Sequence, residues 1–161
     1  MRTRLLTQLV EAPNLDYVEN FQVLSALNLE IRRHGPSAER MLRKAMLEMG
    51  VGNYAACLSA ALDAQAMDPA SPETHYQVGL ANFLIALARS GAVPGGPGMG
   101  HPADDEPASR LLAKSIEAFR EAVRVNPGDD ETAQDVAILQ QLQVDCDTES
   151  KLLTALRRSL K

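Results

Sequence analysis

Two short breaks, Asp68-Pro69 and Asn126-Pro127, constrain this chain more than any other feature: each closes an amphipathic stretch, and each is followed by an acid-bearing helix start. Proline lacks a backbone donor and pushes the residue before it out of the α region, so a helix must stop at both places. Around these breaks apolar residues recur at helical spacing, and Val, Ile, Thr, Tyr and Phe never gather into a strand-like run. Leu and Ala, both strong helix formers, supply the apolar surface, since aromatics are 4% of the chain and Trp is absent. The expectation is an all-α chain of short antiparallel helices, about eight in number.

Local signals place them. Leu5, Leu6, Leu9 and Val10 predict a short helix over Thr3 to Ala12, stopped by Pro13. Asn14 or Asp16 can cap a longer helix from Leu15 to Arg33, which ends at Gly35-Pro36. Ser37 starts a helix to about Met49, and Gly50-Val51-Gly52-Asn53 separates it from a partner over Tyr54 to Met67. Ser71-Pro72-Glu73-Thr74 opens the next, to Ala88 or Arg89. Residues 91–107 then hold nearly half of the chain's Gly and Pro, and a mobile loop is expected there. Further helices are predicted from Ser109 to Val125, from about Glu131 to Val144, and from a cap at Asp147 or Thr148 through Leu160.

The two proline breaks also carry a frame. Counting back from Pro69, a unit beginning near Ala38 places Ala45, Gly52, Tyr54, Cys57 and Ala64 at contact or turn positions. The next begins near Pro72 with Val78-Gly79, and Phe119 and Ala122 fall on its second helix; a third begins near Asp130 with Val136-Ala137. This resembles the tetratricopeptide repeat, a helix-turn-helix of about 34 residues with small residues where its helices touch and Pro at the end. Pro69 and Pro127 are 58 residues apart. One repeat of about 34 leaves about 24 extra, which suits an extended helix tip plus the Gly/Pro segment. The resemblance covers residues 38–156, without the family's Trp and with Ala45 and Ala137 replacing two of three glycines. It implies a right-handed superhelix of antiparallel helix pairs, with residues 1–36 as capping or groove-filling helices and residues 37–161 as the repeats.

In this family the first helices line a concave groove. Carried over by position, the inward residues are Glu39, Leu42, Met46 and Met49, then Glu73, Tyr76, Leu80 and Phe83, then Glu131, Gln134, Ile138 and Gln141. The resemblance thus implies an acid-rimmed apolar groove for a protein or peptide segment with apolar anchors and basic flanks. The same groove could be filled by the helix Leu15 to Arg33, or by a second copy of the chain. A chaperone of the secretion type, built of such repeats, is a narrower alternative. A non-catalytic subunit or ligand sensor using loop 91–107, with His101 and Asp104-Asp105-Glu106, is another.

Other function classes are disfavoured. A formal net charge of −5 repels polyanions, so no nucleic-acid partner is expected. Neither H-E-x-x-H, a nucleophile elbow nor a phosphate-cradling loop occurs, so the expectation is no enzyme, no cofactor and no metal. Cys57 and Cys146 lack the spacing of a zinc site or a disulfide framework, and no stretch reaches the roughly 18 apolar residues of a membrane span, so a cytoplasmic protein is expected.

Overall fold

The computed structural model describes Arg4, residues 17–93 and residues 106–159. Seven helices lie among the described residues: α1 (Tyr17–His34), α2 (Ala38–Gly50), α3 (Tyr54–Met67), α4 (Pro72–Ser90), α5 (Ala108–Val125), α6 (Asp130–Asp145) and α7 (Glu149–Ser159). The described residues contain no strand, so the chain is all-α. The predicted helix Thr3 to Ala12 and most of the segment 91–107 lie outside the described residues, Arg4 excepted.

The helix ends follow from local chemistry. Orphan amides at four N-termini find local side-chain oxygens, with Arg40 N donating to Ser37 Oγ at 3.2 Å, Ala56 N to Asn53 Oδ1 at 3.3 Å, Thr132 N to Asp129 Oδ1 at 3.0 Å and Lys151 N to Thr148 Oγ1 at 3.3 Å. α4 begins differently, because Ser71 makes no side-chain cap. The Thr74 hydroxyl instead donates to the carbonyls of Asp68 and Ser71, at 3.0 and 2.9 Å, and ties the helix to the turn before it. At the other end Gly91 takes φ +80°, and the Gly91 and Ala92 amides close on Ala88 O and Leu87 O.

One terminus was not readable from its own residues. α5 starts at Ala108, one residue ahead of the expected Ser109, and its cap comes from α7: Glu149 accepts from Ala108 N at 2.6 Å and from Ser109 N at 3.0 Å. A carboxylate there meets both orphan donors and the positive end of the helix dipole. Burial would raise the Glu149 carboxyl, but the Ser109 and Ala108 amides outweigh it and hold the group below the usual carboxylate range.

Successive helices pack against one another from α1 to α6, and α7 folds back onto α4 and α5. Around α2 and α3 the core is lined with small residues, Ala45, Cys57, Ala61 and Ala64, all fully buried. They let the two helices approach closely, as the frame expects of Ala45, Cys57 and Ala64. Gly52 takes φ +78° in the turn between these helices. The larger core surrounds α4, in which every residue from Thr74 to Leu87 is buried. A helix enclosed on all sides needs apolar residues all round, and α4 supplies Tyr76, Val78, Leu80, Phe83, Leu84, Ile85 and Leu87.

At Gly79 the helices α4 and α5 come into close contact. A Cβ on Gly79 would lie 2.7 Å from Cδ1 and Cε1 of Phe119, and the Ser115 hydroxyl donates to Gly79 O at 2.7 Å across the same contact. Alanine would gain about 1 kcal/mol of helix propensity at this position, against an overpacking cost of about 1–3 kcal/mol or more for a side chain with no room to move. Gly79→Ala is therefore expected to lower stability in urea unfolding by about 1–2 kcal/mol. Adding Phe119→Leu, which removes the ring that the methyl meets, should make the Gly79→Ala step much less costly.

Candidate binding face

The residues of the expected groove divide into two groups. On α2, Glu39 is exposed, Leu42 and Met49 are half-buried, and Met46 is 52% exposed. On α6, Glu131 and Gln141 are exposed, Gln134 is half-buried, and Ile138 is 51% exposed. On α4, Glu73 is exposed, but Tyr76 and Leu80 are fully buried and Phe83 is 5% exposed. These three share one core with Leu139 of α6 and with Leu152 and Leu156 of α7. The expectation that they form an open floor is thus corrected: the return of α7 and the contact of Arg4 with Tyr76 make α4 an interior helix.

The long N-terminal helix does not supply the cover. α1 packs along α2, burying Leu24 and Leu27 and pairing Glu30 with Arg40 at 3.1 Å, while Phe21 and Leu29 stay exposed. The residue that reaches α4 is Arg4. Its Nη2 lies 2.6 Å from Glu73 Oε2, its Nη1 lies 3.4 Å from Asp129 Oδ2, and its guanidinium carbon stands 3.7 Å from the centre of the Tyr76 ring. Only 21% of the Arg4 side chain is exposed, and 15% of that of Asp129.

Each wall of this site has a local cause. Glu73 stands in the first turn of α4 and Asp129 caps α6, both positions where acids suit a helix N-terminus. Tyr76 is held one helical turn beyond Glu73, and its ring packs at 46° and 5.0 Å on Phe119. Burial would raise the Asp129 carboxyl, but the hydroxyl and amide of Thr132 and the Arg4 guanidinium together hold it below the usual carboxylate range. Tyr76 is pushed well above the ordinary phenol range by burial and by the carboxylates of Asp135, Asp129 and Glu73, with Arg4 opposing. The phenol is therefore neutral at pH 7, and its ring face carries the Arg4 guanidinium.

A second concavity lies between α3, α4 and α5, an open cleft of about 640 Å³ floored by Leu58, Leu62 and Val78. Its histidine already has partners: His75 Nε2 lies 2.6 Å from Pro69 O and Nδ1 lies 2.9 Å from Gln65 Nε2. A carbonyl only accepts, so in this pair of bonds Nε2 donates and Nδ1 accepts from the amide. That arrangement ties the end of α3 to α4 and suits a structural role. Cys57 is fully buried, and its thiol is pushed up to about 12 by burial, with the Glu48 carboxylate adding to it. It is not a nucleophile at neutral pH.

Among the described residues no group of three or more His, Cys, Asp or Glu could hold a metal ion, and no helix is long and apolar enough to cross a membrane. No family model matches this chain, and no curated protein or solved structure matches it. Fold and site together define a class: an all-helical protein in which acids at two helix starts, with an aromatic ring between them, hold a basic side chain.

The Arg4 contacts are partly solvated, so the ion pairs add about 0.2–1 kcal/mol each and the ring contact about 0.5–1 kcal/mol. Arg4→Ala is expected to cost about 1–3 kcal/mol in chemical unfolding on those figures. Because the folded Asp129 carboxyl is lowered, its contribution is present above the unfolded carboxylate range and is lost as pH falls through the folded value. The gap between the parent chain and Arg4→Ala should therefore narrow steadily below about pH 4.

Proposed function

We propose that this chain is a protein-interaction scaffold and not an enzyme, built as a right-handed array of tetratricopeptide-like helix pairs. The exposed sides of α2 and α6, with Glu73 at the start of α4, form a face that binds a partner segment with apolar anchors and basic flanks. The observation that carries this reading is Arg4 seated between Glu73 and Asp129 over Tyr76. Of the expected rim acids Glu39, Glu73 and Glu131, Glu73 together with the helix cap Asp129 meets a basic side chain of the chain itself, which supports this reading. Met46 and Ile138, exposed on the first helices to either side, remain as apolar anchors. In this reading residues 1–36 close one end of the array, and the protein works in the cytoplasm.

Magnitudes set the affinity. Completing the burial of two half-exposed apolar side chains yields about 2–3 kcal/mol, and partner side chains buried opposite them a similar amount. Association costs several kcal/mol, so these two anchors alone do not hold a stable complex, and the basic flanks and further contacts of the segment supply the rest. A partner isolated from native cytoplasm on the parent chain should be lost with Met46→Asp and Ile138→Asp. It should be retained with Leu62→Asp, which alters the cleft between α3, α4 and α5. Loss on Leu62→Asp alone would move the binding face to that cleft. Truncating Tyr76 or Phe83 is the weaker test, because both are core residues whose loss lowers stability first.

A second copy of the chain is the alternative occupant, favoured by the exposed Phe21 and Leu29 on α1. Sedimentation equilibrium decides between them: a dimer dispersed by Phe21→Asp supports self-association, and a monomer supports an external partner.

A further inference from the structure

From the Arg4 geometry we infer that Glu73, Tyr76 and Asp129 form a guanidinium-selective site, and that a partner segment enters by placing its own arginine there in exchange for Arg4. This rests on the scaffold reading and specifies the chemistry of the segment: an arginine followed by apolar residues.

The selectivity follows from the shape of the site. The two carboxylates stand at the starts of different helices and are met by different nitrogens of one guanidinium, Nη2 on Glu73 and Nη1 on Asp129, while its central carbon lies over the Tyr76 ring, 3.7 Å from the ring centre. A lysine ammonium is a compact point charge; it cannot bridge two separated acceptors and stack on the ring at the same time. Fixed structure holds the walls in place. Asp129 is anchored by the Thr132 amide at 3.0 Å and hydroxyl at 2.5 Å, and Tyr76 is clamped by Phe119. A site so organised keeps its form when its occupant leaves.

The exchange follows from the energies. The ion pairs and the ring contact of Arg4 amount to about 1–3 kcal/mol in all. An intramolecular occupant held that weakly weakens a competing arginine by a factor of roughly ten to a hundred and does not exclude it. The Glu73 side chain is 51% exposed, which leaves an approach from solvent. Arg4 thereby sets a threshold that only a segment with both an arginine and apolar anchors passes.

The test uses full-length chains and a fluorescent synthetic peptide with the sequence of residues 1–12, alongside peptides carrying Arg4→Lys or Arg4→Gln. By anisotropy, the parent peptide is expected to bind an Arg4→Gln chain at least about tenfold more tightly than the unaltered chain. The Lys peptide should bind that chain at least about fivefold more weakly, and Glu73→Gln introduced into it should remove most of the binding. In an unaltered chain with isotope-labelled arginine, excess unlabelled peptide should move the Arg4 side-chain resonance from its ring-shifted position toward that of a solvated arginine; this readout needs no variant to fold. Equal binding of the three peptides would overturn the guanidinium inference and leave the scaffold reading standing. So would an Arg4 resonance that does not move under saturating peptide. A native partner insensitive to Met46→Asp, Ile138→Asp and Leu62→Asp alike would instead remove the scaffold reading itself.

Discussion

The contact of Gly79 with the ring of Phe119 is the constraint on which the rest of this structure depends. It brings α5 against α4 at a distance no other residue at position 79 permits, and it clamps the Tyr76 ring from behind. With α5 so close, Ser115 can reach the Gly79 carbonyl, and the start of α5 comes within reach of Glu149. The Glu149 cap draws α7 back over α4 and α5, and Arg157 completes the clasp by donating to Ser90 O at 2.8 Å. A helix that might have lined an open groove is enclosed as a result.

Much of this was legible in local sequence. The breaks at Asp68-Pro69 and Asn126-Pro127, the caps at Ser37 and Asn53, and the proline opening of α4 act within a few residues, so the helix bounds followed from them to within one or two positions. Ala45, Cys57 and Ala64 were readable as contact residues because small side chains at fixed spacing mark helices that touch. The path of α7 was not. Nothing near Glu149 distinguishes a solvated first-turn acid from one that caps a helix 40 residues earlier in the chain. That distinction depends on distance in space, which spacing along the sequence does not encode.

The candidate face was legible in its charge and illegible in its exposure. Acids at the starts of first helices could be placed by periodicity, and Glu39, Glu73 and Glu131 are all exposed. The burial of Tyr76, Leu80 and Phe83 could not, because an aromatic or leucine stripe reads identically whether it floors a groove or fills a core. Arg4 was visible only as a charge in an apolar N-terminal stretch.

Acids at helix N-termini have a second consequence here. Glu73 and Asp129 sit where a negative charge answers the helix dipole, and Asp129 also has both Thr132 donors. A carboxylate satisfied in this way tolerates both the presence and the absence of a guanidinium. A buried ion pair lacks that freedom, because removing one partner strands the other at a cost of about 3–5 kcal/mol. Placing the acids at helix starts, one of them half in solvent, keeps the vacant form of the site accessible. For that reason the grip on Arg4 can be specific in geometry and still weak enough to exchange.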